Sequence, residues 1–115
     1  MIFIINQVNF SDYDIRLLHH SVQSLNSKLL DIAMMLTVDH LNVNILCFSE
    51  HCLLEEQMIV LNMDQFRLAS NFSRRYSTSG GSCIFTRNTI QTKEVNYLRG
   101  LGSEKVFEMS AVELS

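Results

Sequence analysis

One stretch constrains the fold of this chain more than any other, Val43-Asn44-Ile45-Leu46-Cys47-Phe48-Ser49-Glu50. Val43 to Phe48 is short, almost wholly apolar and partly β-branched, with polar residues on either side. A strand with one wet face would alternate, so this run reads as a strand buried on both faces. It ends on a carboxylate, because Glu50 follows Phe48 with only Ser49 between. A strand leaving a core in this way delivers its acid to the carboxyl end of a sheet, where open α/β folds keep their ligand sites. His51 stands directly behind it.

The flanking pattern supplies the rest of an α/β unit. Ile15 to Val22 alternates, with Ile15, Leu17, His19 and Ser21 on one face and Arg16, Leu18, His20 and Val22 on the other, as a strand does. Asn26 and Ser27 offer capping side chains for a helix through about His40, in which Leu29, Ile32, Ala33 and Leu36 form one apolar stripe. Strand, helix and strand at this spacing make a crossover unit with neighbouring parallel strands. Leu53 to Leu61 suits a short helix, with Glu55 and Glu56 near its positive end. Phe66 to Phe72 and Cys83 to Arg87 read as a hairpin around a polar turn, Ser73 to Ser82, that contains Gly80 and Gly81. Ile90 to Leu98 alternates weakly, Arg99 to Lys105 is a loop, and Val106 to Leu114 is a further strand. Met1 to Asp14 reads as a short extra strand or a disordered lead-in, which leaves residues 15–115 as the domain proper.

A chain of 115 residues is long enough to bury one core without disulfides or a structural metal. The net charge of −3 excludes a general electrostatic attraction to a polyanion, so any nucleic-acid contact must be local. Three cysteines, Cys47, Cys52 and Cys83, cannot all pair, and Cys47 lies in the apolar run, which indicates free thiols in a reducing, intracellular setting. Cys47, His51, Cys52 and Cys83 can be drawn as a zinc set, but no C-x2-C pair is present and Cys47 and Cys52 fall on opposite sides of a strand end. The apolar opening, Met1 to Asn6, is too short and lacks the basic flank of a signal peptide or membrane span. His19, His20 and His51 read as exposed or hydrogen-bonded histidines rather than proton-transfer groups.

Taken together, Leu18-His19-His20-Ser21-Val22-Gln23-Ser24-Leu25-Asn26, then Asp39 to Glu50, then Gly80-Gly81-Ser82-Cys83-Ile84-Phe85 resembles the amino-terminal half of an endonuclease/exonuclease/phosphatase (DNase-I-like) domain. More narrowly, the chain is similar to the endonuclease domain of non-LTR retrotransposon polyproteins. The resemblance implies a partial α/β sandwich, about half of a four-layered fold, with a mixed sheet and helices on one face. It also implies a magnesium ion held between an Asn that ends the first strand and a Glu that ends the second. Mg²⁺ takes hard oxygen ligands and keeps several waters, which suits that pair. Glu50 falls on the Glu position. Ser21 falls on the Asn position, and its hydroxyl is a shorter and weaker ligand than a carboxamide.

The remaining catalytic groups that the resemblance implies are a Tyr-bearing strand end, a G-D-x-N motif and an S-D-H motif, and none of them occurs in these 115 residues. No catalytic residue is therefore assigned. Arg74 and Arg75 lie on the turn that corresponds to a surface hairpin of the family, where a basic pair could approach a DNA backbone. Two expectations follow, from different classes. One is the amino-terminal part of a magnesium-dependent DNA endonuclease, truncated and inactive alone. The other is a non-catalytic remnant or interaction module that self-associates through a sheet face left open by the missing half, with no membrane partner.

Overall fold

The computed structural model of the chain describes residues 2–6, 16–37, 43–75, 78–95 and 110–114. The apolar run forms β3 (Ile45–Ser49), and Ile45, Leu46, Cys47 and Phe48 are all buried. β2 (Leu17–Ser21) lies parallel to it, with Leu17 opposite Ile45 and Ser21 opposite Ser49. β5 (Ser82–Arg87) lies antiparallel on its other side, and β4 (Phe66–Phe72) extends the sheet beyond β5. The order β2-β3-β5-β4 makes a mixed four-stranded sheet, as the crossover and hairpin patterns require.

The pleat divides β3 between two cores. Leu46 and Phe48 point to the helix side, where they join Phe85, Cys83 and Phe66 beneath Val22, Leu25, Ile32 and Met58. Phe48 and Phe85 meet edge to face, with ring centroids 6.2 Å apart and planes at 64°. Ile45 and Cys47 point the other way and cluster with Ile84, under Ile2, Ile4, Ala69 and Ile90. Two-sided burial of β3 thus follows from one helical layer and one layer of strands.

The helical layer consists of α1 (Leu25–Thr37) and α2 (Glu55–Val60). α1 turns Leu25 and Ile32 fully inward and leaves Leu30 and Met34 exposed. Its amino end differs from the expected side-chain cap, because Asn26 and Ser27 already lie inside the first turn. The backbone N–H groups of Ser24 and Leu25 are instead taken by the carbonyls of Glu50 and His51, at 3.0 and 2.9 Å. A tertiary contact does the work of a cap, and only the fold can supply it. In α2, Gln57 Oε1 accepts the Leu54 N–H at 2.8 Å, and Glu55 and Glu56 occupy the first turn, next to the positive end of the helix dipole.

On the opposite face lies a three-stranded sheet of β1 (Ile2–Asn6), β6 (Thr92–Glu94) and β7 (Ser110–Leu114), in the order β1-β7-β6. Of the two readings of the opening residues, the structure takes the strand for 2–6. β1 runs parallel to β7 across nearly the whole chain, from Ile2 opposite Ser110 to Asn6 opposite Leu114. The two sheets are pinned where Ser110 Oγ donates to the Ser82 carbonyl at 2.8 Å, with the two hydroxyls 2.9 Å apart. The strand expected from Val106 begins at Ser110 within the described residues, the weakly alternating stretch contributes only Thr92–Glu94, and the Arg99 to Lys105 loop lies outside them. Among the described residues no helix is long and apolar enough to cross a membrane.

Phe48→Ala removes a fully buried ring and its edge-to-face partner, and should lower the unfolding free energy by about 3–5 kcal/mol. Leu30→Ala, at an exposed helix position, should change it by less than about 0.5 kcal/mol. Urea denaturation followed by circular dichroism measures both.

Candidate functional site

β2 and β3 run out side by side at the carboxyl end of the sheet. Past that point Val22 drops into the helix-side core, its N–H donating to the Ser49 carbonyl at 3.0 Å, while Glu50 turns outward with φ of 57°. The segment after β3 is clamped from both sides. The start of α1 bonds to the Glu50 and His51 carbonyls, as described above. From the β5 side, the Gly81 carbonyl accepts the Glu50 N–H at 2.7 Å and the Gly80 carbonyl accepts the Cys52 N–H at 2.9 Å. Held in this way, Glu50 is exposed and its Oε2 accepts a hydrogen bond from Ser21 Oγ at 3.2 Å.

The backbone around this pair is unusual. Gln23, Ser24, Glu50 and Cys52 all take positive φ, at 50°, 112°, 57° and 59°. Non-glycine residues rarely do so, and strain of this kind persists only where surrounding bonds impose it. The β2 to α1 and β3 to α2 loops bond to each other, which is the imposing structure.

His51 explains how the clamp stays closed. Its ring is fully buried, its Nδ1 accepts the Leu53 N–H at 3.0 Å, and its Nε2 lies 3.1 Å from the Phe72 carbonyl. An Nδ1 that accepts must be unprotonated, so the ring is the neutral tautomer with Nε2–H donating to Phe72. The imidazole therefore ties the loop after β3 to the end of β4 and is built in as structure. Gly81 gives it room, because a Cβ there would sit inside the imidazole. The φ of +90° at Gly81 requires glycine independently.

The sequence-derived residues separate by place. Ser21 and Glu50 are brought together. His19 and His20 are exposed on edge strand β2. Cys47 and Cys83 face opposite cores, and Cys52 is half-buried with Sγ 3.3 Å from the Glu50 carbonyl. Among the described residues no group of three His, Cys, Asp or Glu side chains could hold a metal ion, so the zinc arrangement drawn from Cys47, His51, Cys52 and Cys83 does not form. Burial pushes the Cys47 thiol up to about 12 and raises Cys83 further, with the proximity of Cys47 adding to the effect. Arg74 is half-buried, with Nη1 donating to Ser79 Oγ at 2.8 Å, and Arg75 is exposed.

As magnesium ligands, Ser21 and Glu50 are right in kind, being hard oxygens open to water. They are few in number, one carboxylate and one neutral hydroxyl. The hydroxyl proton points at the carboxylate, so binding an ion between them requires that proton to turn away. A magnesium ion here would keep most of its water shell. Comparison with protein-family profiles, with curated proteins and with solved structures finds no match. Of the two readings of His51, exposed or hydrogen-bonded, the structure takes the second. Sequence reasoning missed the roles of Gln23, Ser24 and Gly81, for which the adjacent glycines were the one signal present.

Gly81→Ala should cost about 2–3 kcal/mol through its backbone conformation and the displaced imidazole, read by urea denaturation. The cysteines give a pH dependence with a definite sign. Their folded-state pKa values lie above the ordinary 9.0, so the stabilisation they carry is complete below pH 9 and is lost as pH rises toward 12. In the native protein near pH 8, a thiol reagent should label Cys52 alone, and Cys47 and Cys83 only after denaturant is added.

Proposed function

We propose that these residues form the amino-terminal half of a magnesium-dependent DNA endonuclease of the endonuclease/exonuclease/phosphatase superfamily, of the kind carried by non-LTR retrotransposons. On its own this half does not hydrolyse DNA. The observation that carries the reading is the hydrogen bond between Ser21 and Glu50 across the ends of neighbouring parallel strands. These are the two positions to which the resemblance gives the metal, and they meet although they lie far apart in the chain. The layering of helices, a mixed four-stranded sheet and a second sheet agrees with half of a DNase-I-like sandwich.

In this reading Glu50 is the anionic ligand and Ser21 a neutral one. A magnesium ion, when bound, would neutralise charge on a phosphodiester and lower the pKa of a bound water. The chain's own contribution is to hold Glu50 outward and rigid through Gly81 and His51. The groups that would position the attacking water and protonate the leaving oxygen, G-D-x-N and S-D-H, are not among these residues.

A second reading has an observation of its own. Edge strand β2 borders an open apolar recess lined by Ile2, Ile4, Leu17, His19 and Cys47, and Leu17 is 49% exposed. An edge of this kind favours self-association of a non-catalytic module. A sharp monomer peak in size-exclusion chromatography, with cooperative unfolding, would count against it.

Magnesium titrations followed by NMR test the first reading. The native chain should bind weakly, Ser21→Asn should tighten binding by about an order of magnitude, and Glu50→Gln should remove it. Absence of any magnesium response in all three proteins would overturn the metal-site reading. Nicking of supercoiled plasmid in magnesium by the native chain, abolished by Glu50→Ala, would overturn the proposal that it is inactive.

A further inference from the structure

We propose that Arg74 is the phosphate-binding group of this end of the sheet, its guanidinium taking a phosphodiester of a polynucleotide backbone beside Glu50. The identity of the ligand rests on the endonuclease reading. Of the basic pair on the turn, Arg74 has the defined place.

A phosphate approaching Glu50 meets an exposed carboxylate, with Glu55 and Glu56 following in the first turn of α2, on a chain of net charge −3. Contact therefore needs a local cation. The described arginines are segregated by end. Arg16, Arg67 and Arg87 gather where β3 begins. The Arg16 carbonyl accepts the Asn44 N–H, the Arg67 guanidinium donates to the carbonyls of Asn88 and Ile90, and Arg87 Nε donates to the Val43 carbonyl at 2.8 Å. Arg74 and Arg75 lie at the other end, just beyond the point where β4 stops at Phe72 opposite Ser82.

Of these two, Arg74 is held against the turn that is hydrogen-bonded to the Glu50 loop. Its guanidinium lies across Gly80 so closely that a Cβ there would collide with it, and the bond from Nη1 to Ser79 Oγ fixes it in that pose. Gly80 is bonded through its carbonyl to Cys52, and Gly81 through its carbonyl to Glu50. Residues 80 and 81 lead into β5, which is hydrogen-bonded to β3. The guanidinium thus rests against the backbone segment whose carbonyls are hydrogen-bonded to the Glu50 loop. A cation fixed before its ligand arrives loses less rotamer entropy on binding, and a planar guanidinium matches phosphate oxygens better than an ammonium. Arg75, one residue further on, is exposed.

The test is the fluorescence anisotropy of labelled single-stranded and duplex DNA with the full chain in EDTA, over a salt series. Arg74→Gln should weaken binding about tenfold and lower the slope of log affinity against log salt by about 1. Arg74→Lys, which keeps the charge but not the fork toward Ser79, should recover the slope. If Arg74 only braced the turn, both variants would lose binding alike, and the assignment would fail. Arg75→Gln should change affinity less than about twofold, and Glu50→Gln should strengthen binding by removing repulsion.

Native chain that binds no DNA at low salt would overturn the proposal, as would equal losses from Arg74→Gln and Arg75→Gln. Displacement of DNA by inorganic phosphate beyond what chloride achieves at matched ionic strength would point to a single-anion site and overturn the polynucleotide assignment. The magnesium titration stands apart from these outcomes. Metal binding at Glu50 without an Arg74 effect leaves the endonuclease reading and removes this inference, whereas an Arg74 effect without metal binding does the reverse.

Discussion

Everything in this fold leans on the burial of β3 from both sides. A strand with Ile45 and Cys47 on one face and Leu46 and Phe48 on the other cannot rest against a single layer. The helices cover one pair and the β1-β7-β6 sheet covers the other. Because β3 also has a hydrogen-bonded neighbour on each edge, its position is determined in every direction. Its end, where Ser49 gives way to Glu50, is correspondingly rigid.

That rigidity reconciles two neighbours with opposite fates. Glu50 is exposed and His51 is fully buried, although both come from one short polar stretch. The left-handed turn at Glu50 sends its carboxylate outward, and the imidazole that follows goes inward against a glycine. The carboxylate therefore owes its presentation to bonds made by other residues, through Gly81, Ser24 and Phe72. Acidic and basic groups then share one end of the sheet, with the Arg74 guanidinium over Gly80 and the carbonyls of Gly80 and Gly81 bonded to Cys52 and Glu50.

The pattern of apolar residues located the two-sided strand, the helix after β2, and the hairpin from Phe66 to Arg87, because periodicity and glycine-bearing turns are local signals. It carried no trace of several features that the structure adds. α1 starts on carbonyls borrowed from the β3 loop rather than on Asn26 or Ser27. β4 slips register between Leu68 and Ser70. β1 pairs with β7 from the far end of the chain, and no short window of sequence contains both.

The sequence by itself determined which residues seek a core, where the chain must turn, and that an acid follows the most apolar strand. These depend on side-chain chemistry and spacings of a few residues. Tertiary structure alone decided that Ser21 meets Glu50, that His51 is a neutral tie, and that Arg74 lies over Gly80 rather than in open solvent. Each of these is a contact between strand ends brought together by parallel and antiparallel register. Register is set by the summed burial of whole strands, a quantity that no single residue and no local window holds.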